Sequence, residues 1–143
     1  MDDLDRALIA QLRTDARLPL ATLARRLKVA RTTVQARLER LEAQGVIAGY
    51  TLRLGAGAAG ALIRASVLLT IEPRAQAAIL ARLKALPEVE RAHTTSGRFD
   101  LLIEVAAPGT AALDLVLDQL GAIPGVRASE SLIHLSTRID RAG

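Results

Sequence analysis

Cysteine and tryptophan are absent from the 143 residues, and Tyr50 and Phe99 are the only aromatics. Without thiols there is no disulfide, thiolate metal site or cysteine nucleophile, and nothing marks an oxidising compartment. Without rings the core has to be assembled from Leu, Ile, Val and Ala, and broad stacking platforms for bases are excluded. The two histidines, His93 and His134, stand apart with no metal-spaced carboxylates beside them, so no metal is expected. No serine sits in a nucleophile-elbow pattern. The glycines of "LGAGAAGAL" lack the Lys-Ser/Thr that completes a phosphate loop. No catalytic constellation remains, so neither enzyme activity nor a cofactor is expected. No apolar run reaches the roughly 18 residues of a membrane span, and "MDDLDRALIAQLRTD" places acids where a signal peptide needs cations. A cytoplasmic protein with no membrane partner is the expectation.

What is present is core material and unevenly placed charge. Hydrophobic residues make up 50% of the chain, enough for one ordinary domain or two small ones. From Met1 to Leu54 ten Lys and Arg oppose six Asp and Glu, whereas from Gly55 onward nine oppose nine. The whole surplus of +4 therefore lies in the first third, and Arg25 to Arg40 holds six cations against Glu39 alone. Such polarity points to a polyanion-binding module joined to a neutral one.

In the first third, Leu4, Leu8, Ile9 and Leu12 recur at helical spacing, with Asp2 and Asp5 placed to complement the positive end of a helix dipole. Pro19 opens a short second helix to about Leu27, with Leu20, Leu23, Ala24 and Leu27 on one face. In "KVARTTVQARLERLE" Val34, Leu38 and Leu41 fall at i, i+4 and i+7, which turns one stripe inward and leaves Thr32, Thr33, Gln35, Ala36 and Arg40 elsewhere. Gly45 ends this third helix. Two such helices joined by a tight turn, with small Ala24 at the crossing, form a helix-turn-helix at about residues 20–39, whose second helix fits the major groove. Arg31, Thr32 and Gln35 are the candidates for base edges, with Thr33 alongside and Ala36 suited to a thymine methyl. Arg25, Arg26, Lys28, Arg37 and Arg40 are the candidates for phosphates, with pairing to Glu39, Glu42 or Asp15 the alternative for Arg37, which flanks the apolar stripe. A plain three-helix bundle with a solvated basic face is the competing reading.

"VIAGYTLRL" reads as a strand, the wing of a winged helix-turn-helix, and residues 55–61 as a Gly/Ala linker between domains 1–54 and 62–143. Beyond it, alternating Ala65, Val67, Leu69 and Ile71 predict a strand, Pro73 opens a helix to about Leu86, and "VERAHTTS" and "FDLLIEVAA" predict two more strands. A helix from Thr110 to Gly121 and a strand from Val126 to Ile139 complete βαββαβ. "LKALPEV" and "LGAIPGV" repeat in register 37 residues apart, each where helix gives way to strand. An α+β, ferredoxin-like sandwich is expected. Its second sheet face, with Leu68, Leu102, Leu132 and His134 among Ser66, Thr70, Glu104 and Ser136, is apolar enough to predict a homodimer.

"LATLARRLKVARTTVQARLERLEAQGVIAGYTL", preceded by "DDLDRALIAQLRTDAR", resembles the N-terminal half of the Lrp/AsnC family of transcription regulators. Asp2, Asp5, Arg17, Leu23, Ala24, Val34, Leu38, Leu41, Glu42, Gly45, Val46 and Ile47 match. Lys28 and Ala30 depart, standing where the family has Gly in the turn and Ser at the helix cap. The family's second half is a βαββαβ domain with a Gly-x-x-Asp turn, matched by Gly97 and Asp100 in "TTSGRFDLL". The resemblance implies a sequence-specific regulator that binds double-stranded DNA as a dimer or octamer. It also implies an amino-acid-like effector held near Thr95, Gly97, Arg98 and Asp100. Two other classes share the outline: siroheme-decarboxylase-like enzymes, and ligand-sensing adaptors that do not bind DNA.

Overall fold

In the computed structural model, which describes residues 1–59 and 62–141, the chain divides into two compact units, Met1–Arg53 together with Arg141, and Leu54–Asp140. The first contains α1 (Asp3–Thr14), α2 (Leu20–Leu27) and α3 (Arg31–Ala43). Leu8, Leu23, Ala24, Val34 and Leu41 are buried together at its centre, and Leu38 packs against them half-buried. The caps explain the boundaries. Asp2 closes a reciprocal capping box with Asp5 at the start of α1, each side chain accepting from the other's backbone N–H. Pro19 precedes α2, and Gly45, at φ +74°, ends α3. Lys28 stands in the left-handed region at φ 57°, ψ 44°, a conformation that costs a side chain about 1 kcal/mol and that lets α2 turn sharply into α3. Ala30 precedes α3 without a side-chain cap.

The expected wing strand does not form. Residues 48–55 carry no strand, and the backbone bond that anchors this stretch is Ile47 N–H to the Leu41 carbonyl, 3.1 Å. Alternation marks a segment able to lie in a sheet, but a strand exists only with a neighbour, and among the described residues this one has none. The expected 55–61 linker contains a single helical turn, α4 (Ala56–Ala59); positions 60 and 61, and 142 and 143 at the end of the expected second domain, lie outside the described residues.

The second unit contains β1 (Ile63–Ile71), a 3-10 turn at Pro73–Ala75 leading into α5 (Gln76–Lys84), β2 (Val89–Thr94), β3 (Leu101–Ala107), α6 (Thr110–Gly121) and β4 (Val126–Ile133). The sheet is antiparallel in the order β2-β3-β1-β4. Ala65, Val67, Leu69, Leu101, Ile103 and Val105 form its buried face with Ile79 and Leu83 of α5 and Leu113, Val116 and Leu120 of α6. The repeated Leu-x-x-x-Pro segments do stand where α5 and α6 hand over to β2 and β4.

Three strand ends are shorter than expected, for one reason each. β4 stops at Ile133, opposite Ala65, because β1 begins only at Ile63 and leaves little more to pair with; His134 N–H still reaches the Arg64 carbonyl at 2.9 Å. β2 ends at Thr94 and β3 begins at Leu101, so Phe99 belongs to the turn between them rather than to a strand. That turn closes on itself, through Thr95 N–H to the Asp100 carbonyl at 3.0 Å and the Thr95 hydroxyl to the Phe99 carbonyl at 2.7 Å.

Candidate nucleic-acid interface

The buried stripe of α3 decides what its other faces display. With Val34 and Leu41 against α1 and α2, a turn of about 100° per residue sends Thr32, Ala36 and Glu39 outward; Arg31 and Gln35 flank them, and all five are exposed. Arg25 and Arg26 on α2 and Lys28 in the turn are exposed as well. Arg26 donates to Gln11 Oε1 on α1 at 3.0 Å, and Gln35 Nε2 donates to Glu39 Oε1 at 3.3 Å. Thr33 is half-buried on the flank of α3 nearer Arg37.

Arg37 and Arg40, expected on phosphates, are turned toward α1 instead. Arg37 pairs with Asp2 and, at 3.2 Å, with Asp5, while Arg40 Nη2 lies 3.1 Å from Asp5 Oδ2. Asp5 is a buried carboxylate, 1% exposed, and takes its hydrogen bonds from these two guanidiniums and from Asp2 N–H. The two arginines therefore fix the third helix to the first rather than offering free charge. Sequence reasoning missed this role for Asp2 and Asp5, although their i, i+3 spacing at a helix start was visible. It missed also that the Tyr50 hydroxyl donates to Glu42 Oε1 at 2.7 Å, tying the segment after α3 back to the helix. Partial burial, then Glu42 as acceptor, pushes the Tyr50 hydroxyl up to about 12.

The acidic cluster has a pH signature. The Arg37 guanidinium, then the Asp5 N–H, hold the Asp2 carboxyl down from 3.8 to about 2. Burial pushes the Asp5 carboxyl up, but the Asp2 N–H and Arg37 outweigh it and the net direction is down. Both groups are depressed on folding, so their contribution is complete above the ordinary value of 3.8 and is lost as the pH falls through about 2. Thermal melts of the helical signal should decline across that window. With Asp2→Asn, which keeps a capping side chain but no charge, the decline should be smaller.

The effector turn is also more self-contained than expected. Gly97, at φ +111°, supplies the left-handed residue it needs. Asp100 is committed to the sheet, since its Oδ2 accepts from Ile71 N–H at 2.8 Å while its own N–H reaches the Leu69 carbonyl at 2.8 Å. Its substitution would therefore disturb the β1–β3 pairing, while its other carboxylate oxygen stays on the exposed side of the turn. Arg98 is exposed, its guanidinium 5.1 Å from the Phe99 ring centre. Among the described residues no cluster of His, Asp or Glu could hold a metal ion, and no helix is long and apolar enough to cross a membrane.

Comparison with known proteins accords with this architecture. An AsnC-type helix-turn-helix domain model matches residues 1–42, and an Lrp/AsnC ligand binding domain model matches residues 64–143. The chain is 33% identical to the HTH-type transcriptional regulator LrpA of Mycobacterium tuberculosis, over 99% of this chain and 95% of that protein. E. coli AsnC shares the fold with a TM-score of 0.88 at 26% identity, covering 98% of this chain and 95% of its own. The feast or famine regulatory protein from M. tuberculosis complexed with L-methionine gives 0.87 at 33% identity, over 99% and 97%. A helix-turn-helix unit and a four-stranded antiparallel α+β unit, each matched by its own family model, mean that the chain belongs to the Lrp/AsnC family of transcriptional regulators.

Proposed function

We propose that this regulator lays α3 into the major groove of double-stranded DNA, with Arg31, Thr32, Gln35 and Ala36 at base edges and Arg25, Arg26 and Lys28 on phosphates. Thr33 is placed to support the flank of the contact. The observation that carries this reading is the exposed face of α3, opposite Val34 and Leu41, flanked by cations that no carboxylate neutralises among the described residues. Arg37 and Arg40 then act indirectly, by holding α3 to α1.

Pairing of two copies would give the two reading helices that successive half-sites require. The second sheet face supports a dimer: Leu68 and Leu102 lie directly opposite each other, Leu132 is opposite Ser66 and half exposed, and His134 Nε2 lies 2.8 Å from Ser66 Oγ. The unpaired stretch through Tyr50, Leu52 and Leu54 adds apolar surface, with Leu52 80% exposed. Assembly beyond the dimer, up to octamers, belongs to the same proposal. The relative bound to L-methionine supports a small amino-acid-like effector. Gly97 N–H and Arg98 would meet its carboxylate, Thr95 would shape the turn, and the second oxygen of Asp100 would meet its ammonium.

Duplex binding measured over a range of salt tests the division of labour. Arg31→Ala should reduce discrimination between sequences by about 1–3 kcal/mol, whereas Lys28→Ala should weaken all duplexes alike and flatten the salt slope by about one. Unchanged binding in both variants would remove α3 from the interface.

A further inference from the structure

The outward strip of α3 contains an acid where a DNA-binding surface gains most from cations. Thr32, Ala36, Glu39 and Ala43 share the side opposite Val34 and Leu41, and all four are exposed. Three of these side chains are short, so Glu39 is the one that projects. The nearby cations of α3 do not neutralise it, because Arg37 and Arg40 are engaged by Asp2 and Asp5. Its recorded partner is Gln35, whose Nε2 donates to Glu39 Oε1 at 3.3 Å.

A carboxylate has no hydrogen to give, so Gln35 has to turn its amino end toward Glu39, which leaves the Gln35 carbonyl oxygen and one N–H for a ligand. That is the donor and acceptor pair that fits the adenine N6/N7 edge. Glu39 itself only accepts. Of the major-groove edges, guanine presents two acceptors, thymine an acceptor and a methyl group, and adenine an acceptor beside its amino group; cytosine presents a donor, N4–H2, without a competing acceptor. An acid here lowers affinity for every phosphate and gains it back at one base.

We infer that Glu39 is a specificity-determining residue of the DNA-reading helix, accepting a hydrogen bond from a cytosine amino group, repelling guanine at that position, and orienting Gln35 for a neighbouring adenine. The inference rests on the reading of α3 as the helix that enters the groove.

The test is selection of bound duplexes from a pool with a randomised core, using the full chain and its Glu39→Gln and Glu39→Ala variants. Both variants should melt as the parent does, since the side chain is exposed. The parent should select a cytosine in each half-site by about tenfold over the other bases. Glu39→Gln, now able to donate as well as accept, should select adenine there. Glu39→Ala should show no preference at that position, weaker preference at the adjoining one, and higher affinity for unrelated duplexes at low salt. Variants that keep the parent's consensus and discrimination, or a parent consensus with no cytosine on the contacted strand, overturn the inference while leaving α3 as the DNA-binding helix. A parent that retains no duplex at low salt removes that assignment and the inference together.

Discussion

Gly125→Ala should destabilise the α+β unit by about 2–4 kcal/mol, a large fraction of what a domain of this size possesses. Two costs combine. Gly125 sits at φ +97°, where a side chain is strained, and a Cβ built there would lie 2.2 Å from the Ala75 Cβ and 3.5 Å from Ile79 Cδ1. The carbonyl of Gly125 also accepts from Glu72 N–H at 2.8 Å, so this turn locks the end of β1 to the start of β4 and cannot easily swing away. Gly97 provides the contrast. Its φ is +111° but nothing lies within 4 Å of the added Cβ, so Gly97→Ala should cost only about 1 kcal/mol. Urea melts of the two variants separate conformational strain from the clash. Adding Ala75→Gly to Gly125→Ala should recover part of the loss, and additive effects in that double variant would show that the two positions do not meet.

Gly125 also marks where the internal repeat stops being symmetric. "LKALPEV" and "LGAIPGV" align Glu88 with Gly125, and only the second position takes a left-handed conformation. The periodicities read directly from residues fared well, for a physical reason: burial of Leu8, Leu23, Val34 and Leu41, and of Ala65, Val67 and Leu69, follows from local geometry alone. Gly45 and Gly97 were legible as left-handed turn residues on the same local grounds. What was not legible depends on partners distant in the chain. Arg37 meets Asp5 across 32 positions, and Asp100 meets Ile71 across 29, so neither pairing has a local signature. Residues 46–54 alternate as a strand does, yet alternation records which side chains could share a face and says nothing about whether a second strand is there to accept them. The exposure of Arg31, Thr32, Gln35 and Ala36 was therefore readable, since they project from a helix with one clear apolar stripe. What was not readable is that Arg37 and Arg40 pair with Asp2 and Asp5 of α1, Arg40 doing so while half exposed.

Leu23→Ala should unfold the DNA-reading unit while leaving the other unit intact. Among the described residues the helical unit has five buried hydrophobic residues, Leu8, Leu23, Ala24, Val34 and Leu41, and Leu23 is fully enclosed among them. Removing such a leucine typically costs about 2–5 kcal/mol, because the lost transfer energy is joined by a cavity that the surroundings fill only partly. A core this small rarely supplies more than about 3–5 kcal/mol in total, so the loss is comparable with all the stability the unit has. The α+β unit keeps its own buried cluster of fourteen residues, none shared with the first among the described residues. The expected result is a protein that loses duplex binding and most of the helical circular dichroism of residues 1–53, becomes open to proteolysis there, and retains a cooperative melt from residues 62–140. The self-association proposed for the sheet face should persist in the same sample if that face carries the dimer. Loss of the whole fold in one transition would show that the two clusters are thermodynamically one, and retained duplex binding would mean that the packing of α2 beneath α3 does not set the geometry of the reading helix.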